Sequence, residues 1–197
     1  MKKYSLLILV IFYPLTSTLG QGCFSDGFAR LAQLENSGVE FPKRNEMIKE
    51  SLLGCKAPDF IAKTITGEPI SLAELSGKVI VINFWFTSCA PCIAEMPALN
   101  KLVVEFKESE VVFIAFARDN ANELSSFLKK RQFDFNIVAS SEATAKSYYV
   151  DIFGWPTSMA VDKDGIVRKI VSGATVDERA ETYIYDELYP AIRKYLK

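Results

Sequence analysis

Residues Val79 to Phe86 form one continuous apolar and β-branched run, broken only by Asn83, and Cys89-Ala90-Pro91-Cys92 follows almost at once. An apolar run without alternation reads as a strand buried on both faces. A helix is expected directly after it, from about Pro91 to Lys107. A strand that feeds a helix and is covered on both faces needs layers above and below a sheet. That requirement restricts the chain to an α/β fold with a mixed central sheet flanked by helices. Val111 to Ala117 repeats the buried-strand pattern, and Asn120 caps a helix through about Arg131. A short strand at Asn136–Ala139 and a helix from Ser141 to about Tyr149 come next. Two strands, Thr157–Val161 and Ile166–Val171, are joined by Asp162-Lys163-Asp164-Gly165, a strong hairpin signal. Val176 to Lys197 closes the chain as a helix that Pro190 should kink, as Pro97 should kink the helix after Cys92.

Upstream, Ala57-Pro58-Asp59-Phe60 opens a short strand that turns at Thr66-Gly67-Glu68, and Ser71 and Glu74 have capping-box spacing. Residues 21–54 read as a helical preface: Phe24, Phe28, Leu31 and Leu34 fall at helical spacing before Gly38, and Met47, Ile48, Leu52 and Leu53 follow Pro42. Residues 1–20 have the form of a secretory leader, with Lys2-Lys3, an apolar run from Leu6 to Tyr13, and small residues to Gly20. The apolar run is about half of the ~20 residues that a membrane span needs. Cleavage is expected after Gly20; a short uncleaved anchor and lipidation at Cys23 are the alternatives. The division is therefore leader 1–20, helical extension 21–54 and main domain 55–197, in a compartment outside the cytoplasm where disulfides persist.

The chain has four cysteines and no histidine. Without histidine there is no Ser-His-Asp or Cys-His nucleophile, no His-bearing zinc site and no His-ligated haem. A net charge of −1 gives no basic footprint for nucleic acid. Cysteine chemistry remains. A cysteine at a helix N-cap faces unpaired backbone N–H groups and the positive end of the helix dipole, which favour thiolate over thiol. Cys89 is thus expected as an exposed nucleophile, and Cys92, one turn on, as its buried resolving partner. Zinc would need a second cysteine pair of the same spacing, and there is none, so no metal or other cofactor is expected. Trp85 at the strand exit, and Trp155-Pro156-Thr157 with a cis proline, are the expected substrate-docking residues. Cys23 and Cys55 bracket the preface. A structural disulfide, an extra redox thiol at Cys55 and a lipidated Cys23 are the open readings.

The run from Lys78 to Pro97, with Asn83-Phe84-Trp85-Phe86-Thr87-Ser88-Cys89-Ala90-Pro91-Cys92 and Glu95, resembles the active-site segment of the TlpA/ResA-type thioredoxin-like oxidoreductases. Ala57-Pro58-Asp59-Phe60, Leu75-Ser76-Gly77-Lys78, Gly154-Trp155-Pro156-Thr157 and the Val161–Gly165 hairpin resemble that family too, so the likeness spans roughly residues 54–197. It implies a thioredoxin fold and thiol–disulfide exchange at the bacterial envelope. Its expected partners are a protein or peptide disulfide substrate, such as apocytochrome c, and a membrane electron donor that makes the protein a reductase.

Thioredoxins proper carry a buried aspartate where this chain has Asn83, which cannot accept the proton that Cys92 must lose. Glu95 is the expected substitute. At ~100° per residue it shares a helix stripe with Cys92, Leu99, Leu102 and Phe106, while Ala94, Ala98, Lys101, Glu105 and Glu108 fall opposite. A carboxyl among apolar residues has a raised pKa, as a proton shuttle requires. Two other functions share the fold. A thiol peroxidase wants Pro and Thr where this chain has Ile82 and Phe86. A peptide-binding module would use the Trp155-Pro156 groove without chemistry.

Overall fold

The computed structural model describes residues 22–197, apart from the side chains of Ser25 and Phe28. The leader, its cleavage point and the packing expected of Phe28 lie outside the described residues. The chain runs α1 (Gly22–Asn36), α2 (Phe41–Leu52), β1 (Ile61–Lys63), β2 (Pro69–Ser71), a 3-10 turn, β3 (Val79–Trp85), α3 (Ala90–Glu105), β4 (Val111–Ala117), α4 (Ala121–Leu128), β5 (Asn136–Val138), α5 (Glu142–Ser147), α6 (Val150–Phe153), β6 (Thr157–Val161), β7 (Val167–Ser172) and α7 (Ala180–Leu196).

The main sheet has the order β5-β4-β3-β6-β7. β3, β4 and β5 are parallel, whereas β6 runs antiparallel to β3 and β7 antiparallel to β6. All seven residues of the central β3 are buried. Successive side chains of a strand point to opposite faces, so β3 feeds two cores. Ile80, Ile82 and Phe84 enter one, with Phe60, Phe116, Tyr148, Phe24, Ile48 and Leu52. Val79, Val81 and Trp85 enter the other, under α3 and α7. The chain has the thioredoxin fold with an N-terminal helical part.

Helix α7 explains one departure from the expected stripes. Ala98 was placed on the solvent side of α3 but is buried, because α7 covers that flank with Leu188 and Ile192. The lysine ammonium of Lys101 sits 4.3 Å from the centre of the Tyr185 ring across the same contact. α7 begins at Ala180 rather than Val176, since Asp177 first takes the backbone N–H of Arg179 and the hydroxyl of Thr175 into a turn. It continues unbroken through Pro190, as α3 does through Pro97.

The single helix expected after Ser141 is two. Tyr149 adopts a left-handed backbone (φ 62°) between α5 and α6. That turn sends two consecutive side chains inward, where the Tyr148 hydroxyl donates to the carbonyl of Pro58 (2.7 Å) and the Tyr149 hydroxyl to that of Phe24. Gly27 is required here, because a Cβ at that position would lie 2.7 Å from the Tyr149 oxygen.

The preface is therefore part of the core that lies on the face of the sheet away from α3. Its helices are also linked covalently, since Cys23 and Cys55 form a disulfide with Cα atoms 5.6 Å apart. Cys55 is buried in that same core, with the sheet between it and Cys89–Cys92. Replacing Cys23 and Cys55 together by alanine is expected to lower the unfolding free energy by about 3–4 kcal/mol, from the chain entropy released to the unfolded state. Urea melts check this, and an unchanged midpoint would remove the bridge from the stability account.

Candidate active site at the end of the central strand

β3 ends at Trp85, and Phe86-Thr87-Ser88 turn the chain into α3. The turn is closed by the backbone N–H of Cys89 donating to the Phe86 carbonyl (3.1 Å). Cys89 is the N-cap of α3, in an extended conformation, and its sulfur accepts the backbone N–H of Cys92 at 3.2 Å. Pro91 falls in the first turn, where a missing N–H removes no helix bond. Cys89 and Cys92 are joined as a disulfide, with Cα atoms 5.2 Å apart. The helix end directs its free N–H groups at the sulfur that must carry negative charge after reduction.

Cys89 was expected to be exposed, yet it keeps only 5% of its surface, against 1% for Cys92. Cys89 is still the less buried residue of the two, the order that attack followed by resolution requires.

The Trp155–Pro156 peptide is cis. Gly154 precedes it at φ 87°, a conformation that favours glycine, and the Thr157 hydroxyl donates to the Gly154 carbonyl at 2.7 Å. Thr157 lies opposite Phe84 in the sheet, so the loop stands beside the turn that carries Cys89. The rings of Trp155 and Phe86 meet edge-to-face at 5.7 Å.

Trp85 is not part of that surface. It is fully buried, 5.4 Å from the ring of Phe127 and 5.3 Å from that of Phe133, and its indole N–H has no partner among the described residues. Strand alternation turns it inward beneath α4, and Phe86, one residue later, meets Trp155 instead.

Two contacts at this turn had no signature in the sequence. The backbone N–H and hydroxyl of Thr87 donate to the two oxygens of Asp119, each at 2.7 Å. The backbone N–H of Arg118 donates to the Trp85 carbonyl at 3.1 Å, and its guanidinium stacks 4.0 Å over the Phe86 ring. The end of β4 thus clamps the turn on which Cys89 stands.

Glu95 is 1% exposed on the core side of α3, one turn beyond Cys92. The side-chain amide of Asn83 donates to Glu95 Oε1 (3.0 Å) and to the hydroxyl of Ser158 (2.9 Å), which uses both of its N–H groups. Burial pushes the Glu95 carboxyl up to about 8, and the Asn83 hydrogen bond opposes this only in part. The group therefore changes charge close to neutrality, inside the protein, one helical turn from Cys92. Among the described residues no group of three or more Cys, Asp or Glu is placed to hold a metal ion.

Comparison with known proteins agrees with this geometry. The AhpC/TSA family model matches residues 53–170. The thiol-disulfide oxidoreductase ResA of Bacillus thuringiensis (strain Al Hakam) is 31% identical over 191 residues, covering 93% of this chain and 97% of its own. Among solved structures, a DsbE-type thiol:disulfide interchange protein of Chlorobium tepidum is 25% identical with a TM-score of 0.63, over 71% of this chain and 97% of its own. A secreted Mycobacterium tuberculosis disulfide oxidoreductase is 25% identical with a TM-score of 0.55, over 66% and 95%. A cysteine pair capping α3 beside a cis proline, in a sheet of this order and with relatives of this description, places the chain in the ResA/TlpA-type thioredoxin-like family of thiol–disulfide oxidoreductases.

Proposed function

We propose that this protein is an extracytoplasmic reductase of protein or peptide disulfides, with Cys89 as nucleophile, Cys92 as resolving thiol and Glu95 as proton shuttle. The observation that carries the reading is the Cys89–Cys92 pair at the head of α3, beside Pro156 and one turn before a buried carboxyl. Reduced Cys89 attacks one sulfur of a substrate disulfide docked along Trp155-Pro156-Thr157. A Cys89–substrate bond forms and the other substrate sulfur leaves as thiolate. Glu95 then takes the proton of Cys92, whose thiolate attacks the Cys89 sulfur and releases the second substrate thiolate. Two electrons have passed to the substrate, and the enzyme is left as the disulfide seen here. A dithiol donor on the membrane side returns it to the reduced form.

The leader expected over residues 1–20 supports a site outside the cytoplasm, as does the secreted relative. The bridged Cys23–Cys55 pair supports the same setting, since such bonds persist where the surroundings are oxidising. Cys55 is engaged in that bridge across the sheet from Cys89, which favours the staple over a third redox thiol.

The test of direction is the reduction potential of the Cys89–Cys92 couple, read by equilibration with glutathione or dithiothreitol. A value near thioredoxin's, about −270 mV, is expected; one above about −150 mV would make the protein an oxidant. Insulin reduction, with Cys89→Ser as the control, separates the enzyme from a peptide-binding module.

A further inference from the structure

Arg118 holds the Cys89 turn through its backbone N–H and its stacking on Phe86, but the N–H groups of its guanidinium are used by nothing in the site. Its guanidinium carbon lies 4.0 Å over the centre of the Phe86 ring, three residues before Cys89, and 6.0 Å from that of the Trp155 ring beside Pro156. Among the described residues no carboxylate lies within ion-pair distance of it and no acceptor takes a hydrogen bond from it. The neighbouring carboxylate, Asp119, is engaged by Thr87 through both oxygens. Arg118 also lines a cleft of about 380 Å³ together with Trp155, Lys146, Glu142 and Asp151.

We propose that Arg118 reads the substrate, binding the carboxylate of an aspartate or glutamate that lies within a few residues of the substrate's reactive cysteine. The proposal rests on the disulfide-exchange reading above, and three features support it. Aromatic stacking occupies the face of a guanidinium and leaves its N–H edge free, and that edge matches a carboxylate in two-point geometry. The rings beneath also fix the side chain and shield one side from water, so less freedom is lost on binding than at an ordinary surface arginine. Position supplies the third. An extended peptide advances about 3.3 Å per residue, so a chain whose cysteine reaches Cys89 past Pro156 carries only its nearest residues across Trp155 and Phe86. Lys146, Glu142 and Asp151 line the same cleft, so its other charges are mixed in sign and only Arg118 is set on the aromatic pair. The preference is therefore for one acidic position, not for an acidic run.

The test uses the reduced full-length protein and synthetic peptide disulfides in pairs that differ only by Glu or Gln. The substituted position is moved through the three residues on each side of the cysteine. Wild type is expected to favour the Glu peptide at one position by about 3–10-fold in kcat/KM, with the ratio shrinking as salt is raised. Arg118→Met should bring that ratio to one, Arg118→Lys should keep part of it, and Arg118→Glu should invert it in favour of the Gln peptide. Each ratio is taken within one variant, so a general loss of activity cancels. Equal turnover of every pair by wild type overturns the subsite alone, as does a preference that survives Arg118→Met. If wild type reduces none of the peptides, the exchange reading falls and the subsite falls with it.

Discussion

Replacing Cys89 by serine is expected to cut disulfide turnover by at least about a thousandfold, because the group that forms the first bond is gone. Cys92→Ser should fail differently. With the nucleophile intact and no thiol to resolve the intermediate, the protein should accumulate as a covalent adduct with its substrate, visible by mass and on a non-reducing gel. The asymmetry comes from the head of α3. Cys89 is the N-cap, its sulfur within reach of the backbone N–H of Cys92, and it is the less buried of the two. Cys92 lies inside the first turn with 1% of its surface exposed, where an incoming disulfide does not reach but the Cys89 sulfur does. An adduct on Cys89→Ser, or full turnover by Cys92→Ser, would reverse the assignment.

Glu95→Gln is expected to stabilise the protein above neutral pH and to slow the resolving step. The Glu95 carboxyl titrates at 4.5 when free and at about 8 in the fold, because burial disfavours its charge. Between those values the folded protein holds a proton that the unfolded chain has lost. The stabilisation is complete below about pH 4.5 and disappears as pH rises through 8, at about 1.4 kcal/mol per unit. Glutamine keeps the shape and still accepts from Asn83, but it never ionises. Its advantage over the wild type should therefore grow from pH 5 to about pH 8 and then level off, as urea melts across that range would show.

In catalysis the same variant loses the acceptor for the Cys92 proton. Release of the second substrate thiol should rise with pH and level near 8 in the wild type, but follow only the thiol's own ionisation in the variant. An identical pH–rate profile in both would leave Glu95 as a buried acid with no part in proton transfer.

Patterns confined to one element were readable in the sequence. The unbroken apolar run of β3, the cysteine spacing at the head of α3 and the stripe that holds Glu95 each depend on local periodicity alone. What escaped depends on how elements meet. Ala98 is buried because α7 arrives from the far end of the chain, and Trp85 faces inward because α4 closes over the sheet edge. The clamp between Thr87 and Asp119 joins residues 32 apart, and no short pattern marks it. The break at Tyr149 is a tertiary effect as well, since two hydroxyls seek carbonyls on segments near the N-terminus.

The sheet between the two disulfides also bears on how the chain matures. An unfolded chain presents four thiols that can join in three ways; the short loop favours Cys89 with Cys92, but nothing there keeps Cys23 and Cys55 from exchanging with them. Once β3 is in place, Cys23 and Cys55 share one compartment of the interior and Cys89 and Cys92 the other. From then on exchange between the two pairs requires the sheet to open. The sheet thus keeps a bond that disulfide exchange would open and close apart from the bond that staples the N-terminal helices.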